Sequence, residues 1–211
     1  YQNFAKFIGQ PIIYPRLKGL DEKFPFINVI ERKPDDKNLS FGSSWLHQDT
    51  SYLIKDRPRY TMLMGIEIPD GQGNTIFSSG FNAYEKLPEE IKDKIKNATG
   101  IFSSAGPIAI TRLERENEMG IKSSGSMEAE HPIVKTVNGK KTLYVSPGHL
   151  MKIKNVKGED ADKLKNYLIE HVNKQEFIFS YEWSRGDICI WDNLSILHMA
   201  SEIKNCKRIM H

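Results

Sequence analysis

The sequence predicts a mainly β domain with flanking helices, folded as a double-sheet jelly roll. Strand-like runs are numerous and short, as in Thr61 to Ile68, Asn74 to Ser78 and Ile188 to Trp191. Only two or three segments carry helical spacing, and turn signals such as Pro69-Asp70-Gly71 and Asn138-Gly139 separate the strands. At 211 residues and 24.2 kDa the chain fits one domain, residues 1–211, with a core large enough to stand without staples. Hydrophobic residues at 39% and charged residues at 27% are ordinary for a globular protein, and no apolar run approaches the roughly twenty residues of a membrane span. The formal charge of +3 is mild. Its lysines are scattered beside acids, as in Glu89-Glu90-Ile91-Lys92-Asp93-Lys94, which is a solvated face rather than a nucleic-acid footprint.

In chain order, Phe4, Phe7 and Ile8 share a helical face that Gly9 closes. Pro11 and Pro15 force an extended passage, Phe26 to Ile30 reads as a strand, and Arg32 to Lys37 as an exposed loop. Pro88 suits a first helical turn, Glu89 and Glu90 favour its positive end, Ile91 and Ile95 repeat at four, and Gly100 ends that helix. Ser103 to Gly125 has no clean period, so a long loop covering the site is expected there. Asn138-Gly139 predicts a tight hairpin between His131–Val137 and Lys141–Val145. Glu159 to Val172 is the strongest helix, with Ala161, Leu164, Leu168 and Val172 as its buried stripe. Phe177 to Trp183 and Ile188 to Trp191 read as a further hairpin around Ser184-Arg185-Gly186-Asp187.

The chemistry concentrates in Ser43 to Tyr52, where His47 and Asp49 stand two apart. In extended backbone that spacing sends both side chains to one face, where imidazole and carboxylate converge on a cation. By itself the triplet also fits a surface turn with a capping Asp, so a third ligand is needed. The far end supplies His198, after Trp191-Asp192-Asn193 and before Lys207-Arg208-Ile209-Met210-His211. Two histidines and a carboxylate can occupy one face of an octahedral iron(II) and leave the other positions open.

These residues, together with Gly73-Asn74-Thr75-Ile76-Phe77, His131-Pro132-Ile133-Val134 and Leu143-Tyr144-Val145, resemble the TauD/TfdA family of iron(II)- and 2-oxoglutarate-dependent dioxygenases across most of the chain. The resemblance implies a double-stranded β-helix of cupin-like form, with His47, Asp49 and His198 as iron(II) ligands. It implies that Arg208 and Thr75 bind the distal carboxylate of 2-oxoglutarate and that Trp191 lies near the metal. Arg supplies the bidentate charged fork that Lys lacks, and Lys207 would point to the opposite strand face. Substrate contacts are expected from Tyr14, Thr50, Tyr52 and His149. His131 and His171 read as structural. Taurine-using members carry a His three before the early Tyr, where this chain has Pro11, and Thr50 and His149 make a pocket more polar than a taurine pocket.

The implied reaction is hydroxylation of a small anionic molecule, of the sulfonate, phosphonate or carboxylate class, with dioxygen consumed and succinate and carbon dioxide released. Two other readings stand beside it: a non-catalytic jelly-roll protein that binds a small molecule without metal, and a zinc hydrolase with the same ligands, in which Arg208 and Thr75 have no role. Two cysteines, Cys189 and Cys206, suit a reducing cytoplasm better than a disulfide framework. Relatives of the family form homo-oligomers, and that is the expectation here. The chain opens at Tyr1 and stops at His211 inside a family motif, so sequence is expected beyond both ends.

Overall fold

A computed structural model describes residues 2–14, 17, 19–55, 57–118, 120, 125–156 and 160–211. Pro15, Glu159, and residues 119 and 121–124 of the expected covering loop lie outside the described residues. Two antiparallel sheets face each other. One has the strand order β1 (Ile30–Arg32), β12 (Arg208–Met210), β2 (Tyr60–Glu67) and β10 (Ile188–Asp192); the other runs β11 (Ile196–Ala200), β3 (Thr75–Ser79) and β9 (Ile178–Tyr181). Phe77 of β3 meets Trp191 of β10 edge-on at 5.4 Å between ring centres, which marks the apolar seam between them.

A third sheet, β5 (Glu128–Pro132), β4 (Thr99–Ser103) and β8 (Leu150–Lys154), and the hairpin β6 (Val134–Val137) with β7 (Lys140–Leu143) extend the β structure. Asn138 and Gly139 both have positive φ, 50° and 77°, as the primed turn requires. Helices α2 (Gly80–Glu85), α3 (Glu89–Ile95) and α5 (Ala161–Val172) pack outside. The core joins Leu46, Ile95, Phe102, Tyr144, Leu168 and Leu197, all fully buried. Asp160 caps α5 by accepting from the Asp162 and Lys163 amides. His171 replaces Ala161 in its buried stripe and fixes the helix through Nε2 on the Ala83 carbonyl at 2.8 Å, a structural role as expected.

Several expectations are corrected. The strand expected at Phe26–Ile30 begins only at Ile30. Gly100 does not stop a helix: α3 ends at Ile95, and Gly100 lies in β4, where an added Cβ would come within 2.7 Å of Leu150. Close packing, not helix termination, is the reason for that glycine. The expected hairpin of β9 with β10 is a corner instead. β9 pairs with β3 and β10 with β2, so the Ser184–Asp187 turn carries the chain from one sheet to the other. The Ser103–Gly125 stretch is not a loop throughout, since a 3-10 turn at Pro107–Ala109 runs into α4 (Ile110–Glu118). Helix α1 (Gln2–Ile8) forms where expected, yet Phe7 is 88% exposed, so its apolar face is unburied.

The segment following the His-x-Asp triplet is fastened from behind. His131 Nε2 sits 3.1 Å from the Leu53 carbonyl, and Arg57 Nη1 reaches the same ring, 2.9 Å from Nε2 and 3.2 Å from Nδ1. Arg57 also reaches the Tyr144 hydroxyl at 3.4 Å, and the Lys135 ammonium sits 3.9 Å from the centre of the Tyr144 ring. Burial, then the charges of Arg57 and Lys135, push His131 down to about 4. Between the ordinary value near 6.5 and about 4, the unfolded chain takes up a proton that the folded chain refuses, so stability falls as pH drops through that window. Thermal melts of the metal-free protein should therefore show a lower midpoint at pH 5 than at pH 7, and His131→Asn should narrow the difference.

Candidate metal centre

The site is assembled by main chain before side chains enter. His47 and His198 form an isolated antiparallel bridge, each amide donating to the other's carbonyl at 2.9 Å. The bridge lays the His47 strand along β11 and sets the two imidazoles beside each other, 4.3 Å between ring centres. The His47 Nδ1–H donates to the Trp45 carbonyl at 3.0 Å, which fixes the tautomer and leaves the Nε2 lone pair facing outward. Asp49 Oδ1 lies 3.8 Å from His47 Nε2 and 3.6 Å from His198 Nε2, and the three donor atoms fall within 4.8 Å of one another. Two neutral imidazoles and one carboxylate around an open side are the donor set expected for iron(II), so the residues present fit that ion.

The electrostatics keep each donor in its ligating form. Burial pushes His198 down to about 3 and also lowers His47, where Asp49 and the Trp45 carbonyl oppose it. Burial works against the charge on Asp49, yet the carboxyl lies below its usual value, with the Thr61 hydroxyl donating to it. Thr61 donates to Asp49 Oδ2 at 2.5 Å and accepts from the Asn193 amide at 2.8 Å. The Asn193 carbonyl oxygen accepts from the Asp49 backbone N–H and from the Trp191 indole, both at 3.2 Å.

The other nominated residues divide into two groups. Tyr14, Thr50, Tyr52 and His149 line one cavity of about 780 Å³ together with His47 and Asp49. Tyr14 and Tyr52 share a hydrogen bond between hydroxyls at 3.2 Å, and burial, then Tyr52, raises the Tyr14 phenol well above its ordinary value, so it stays protonated. His149 is held through Nδ1 by the Ser51 and Ser146 hydroxyls at 2.9 and 3.2 Å and meets Tyr52 edge-on. Thr50 adopts positive φ, 48°, so the turn after Asp49 is tight. Arg208, Thr75 and Trp191 are not in that lining.

Arg208 is 5% exposed, and among the described residues its Nε and Nη2 make no hydrogen bond. Burial lowers it to about 10. A guanidinium desolvated in this way calls for an anion. Gly73, two residues before Thr75, lies so near that an added Cβ would touch the Arg208 Cδ at 2.9 Å. The Thr75 hydroxyl accepts from the Trp183 indole at 2.9 Å and keeps its own proton to donate. Trp191 spends its N–H on Asn193 and offers its face to His198 at 4.6 Å. Lys207 points away, paired with Glu67 at 2.9 Å.

With this geometry in place, the family model described as "Taurine catabolism dioxygenase TauD, TfdA family" matches residues 1–211. The chain belongs to the TauD/TfdA family. The alkylsulfatase of Acinetobacter baylyi is 31% identical over 209 residues, 94% of this chain and 62% of that protein. A sulfate ester dioxygenase of Pseudomonas putida, alpha-ketoglutarate-dependent by its name, is 28% identical over 209 residues, 94% of this chain and 66% of that protein. The chain thus spans about two thirds of the length of these relatives. The crystal structure of a taurine dioxygenase from Burkholderia xenovorans has a TM-score of 0.73 at 23% identity, covering 98% of this chain and 68% of that one, and shows a shared jelly-roll fold.

Sequence reasoning passed over Thr61, Asn193 and Trp183 in this TauD/TfdA member. Asn193 stands in the quoted Trp-Asp-Asn segment, so a signal for it existed, whereas Thr61 is an unremarked β-branched strand residue until β2 brings it against Asp49. Thr61→Val or Asn193→Ala should weaken iron(II) about 10- to 100-fold, the range for lost partners of metal ligands, measured by anaerobic competition with a chelator. Unchanged affinity in both variants would remove this network from the metal site.

Proposed function

We propose that the protein is an iron(II)- and 2-oxoglutarate-dependent dioxygenase that hydroxylates a small organic anion carrying a sulfonate, sulfate, phosphonate or carboxylate group, releasing succinate and carbon dioxide. One observation carries the reading: the His47, Asp49, His198 cluster coexists with a buried guanidinium, Arg208, that lacks a counter-anion among the described residues. A zinc hydrolase gives Arg208 no task, and a metal-free binding protein gives the three-ligand cluster none. The names of the sulfate ester and alkylsulfate relatives support an anionic substrate.

His47, Asp49 and His198 would hold iron(II), which supplies the open positions and the redox chemistry for the keto acid and dioxygen. The rest follows from the protein's own groups. Arg208 and the Thr75 hydroxyl bind the distal carboxylate of 2-oxoglutarate by charge-assisted hydrogen bonds. Thr61 and Asn193 keep the Asp49 carboxylate ionised and aimed. Trp191 closes the apolar side against His198 and excludes water there. Tyr14, Tyr52 and His149 present the polar wall against which the substrate is oriented.

The two unpaired cysteines support a reducing compartment such as the cytoplasm. Among the described residues no helix is long and apolar enough to cross a membrane.

Anaerobic addition of iron(II) and then 2-oxoglutarate to the full-length protein should produce the weak visible absorption of the chelated keto acid. His47→Ala and Asp49→Ala should lose it and all succinate formation, and Arg208→Met should weaken 2-oxoglutarate about 10- to 100-fold. No absorption in folded, iron-loaded protein would favour the binding-protein reading.

A further inference from the structure

We propose that Trp183 is a positioning residue for the co-substrate: its indole N–H holds the Thr75 hydroxyl in the orientation that donates to the distal carboxylate of 2-oxoglutarate, and so sets the preference for a keto acid that carries that carboxylate. The inference rests on the dioxygenase reading above and adds to it a residue that acts through Thr75.

The placement follows from the corner between the two sheets. Tyr181, the last residue of β9, lies directly opposite Thr75 of β3. Beyond it the chain leaves the ladder, and two residues on, Trp183 stands edge-on to the Tyr181 ring at 5.0 Å between centres. The corner is tied, because Asp187 Oδ2 accepts from the Tyr181 hydroxyl at 3.0 Å and from the Ser184 amide at 2.8 Å. Trp183 and Thr75 are both buried, at 4% and 2% exposure, and the indole N–H meets the Thr75 hydroxyl oxygen at 2.9 Å.

An indole N–H can only donate, whereas a hydroxyl has one proton to give and two lone pairs. Facing the indole, the Thr75 oxygen has to accept, and its proton is left for another partner. Among the described residues the hydroxyl makes no other hydrogen bond. The approach of Arg208 to Gly73 brings a guanidinium to the start of the same strand, and its Nε and Nη2 are likewise without partners among the described residues. A hydroxyl proton and guanidinium N–H groups, buried and unused beside the start of β3, make a seat for a carboxylate.

A buried indole asks only for an oxygen, and a backbone carbonyl would serve it equally well. Placing it on a side chain that has its own proton to direct fixes where that proton goes. Without the indole the hydroxyl is free to turn a lone pair toward the carboxylate, which repels it. Donation to an anion in turn makes the Thr75 oxygen a better acceptor, so the two bonds strengthen each other. A keto acid with a methyl group in place of the distal carboxylate gains nothing from this arrangement.

The test is calorimetric titration of 2-oxoglutarate, and of 2-oxovalerate, its analogue without the distal carboxylate, into the full-length protein loaded with manganese(II). This reads binding and needs no turnover. Wild type, Trp183→Phe, Thr75→Val and the double variant T75V/W183F form a double-mutant cycle. Trp183→Phe should weaken 2-oxoglutarate by about tenfold and leave 2-oxovalerate within about twofold. In the Thr75→Val background it should weaken 2-oxoglutarate no further, since the hydroxyl through which it acts is gone. Equal losses for the two keto acids, a loss in the Thr75→Val background as large as in wild type, or no loss at all would overturn the proposal. If Trp183→Phe does not fold, proton–nitrogen NMR spectra of the zinc(II)-loaded protein decide the matter. The indole signal that moves in Thr75→Ser is that of Trp183, and 2-oxoglutarate should shift it downfield while 2-oxovalerate leaves it in place; identical responses overturn the proposal. Wild-type protein that binds no 2-oxoglutarate sinks the dioxygenase reading and this proposal with it, whereas binding indifferent to Trp183 overturns the proposal alone.

Discussion

Two main-chain hydrogen bonds between His47 and His198 are the constraint on which the site depends. Side-chain ligands separated by 151 positions can share an ion only if something else has already fixed their distance, and here the backbone does so. Each residue satisfies the other's amide and carbonyl, so the ligand spacing follows from strand geometry and does not rely on the ion. The remaining features serve that bridge. Trp45 turns one imidazole, Trp191 covers the other, and Gly148 lets the Pro107–Ala109 turn approach without pushing His47 aside.

Much of this was legible in the sequence because the chemistry sits in short patterns. His47-x-Asp49 needs only an extended backbone to converge, and the Asn138-Gly139 turn needs only residues that tolerate positive φ. What the sequence hid depends on partners. A strand, a four-residue turn and a second strand look alike whether the strands pair or part, so the corner at Ser184–Asp187 was read as a hairpin. Gly100 looked like punctuation, but its reason is the Leu150, Ile133 and Phe102 side chains crowding its Cα. The segment around Arg112 is rich in charge and has no clean period, because its helix buries a salt bridge in place of an apolar stripe. Binary patterning reads such a helix as loop.

The nominated site residues came together unequally. Four of them share a cavity with His47 and Asp49, while Arg208 and Thr75 sit apart from that lining beside Gly73. The polar wall of the cavity is internally hydrogen-bonded, Tyr14 to Tyr52 and His149 to two serines, so its shape is set before a ligand arrives and little side-chain freedom remains to be lost on binding.

Asp49 belongs by chain to the histidine strand, yet the groups that hold its carboxylate, Thr61 and Asn193, belong to β2 and the end of β10 in the facing sheet. The cluster is therefore a clasp across the sandwich, not an ornament on one leaf of it. Any strain that slides or spreads the two leaves moves the negative charge relative to the imidazoles. An ion held by all three donors would therefore tie the histidine strand to the facing sheet through the Asp49 carboxylate.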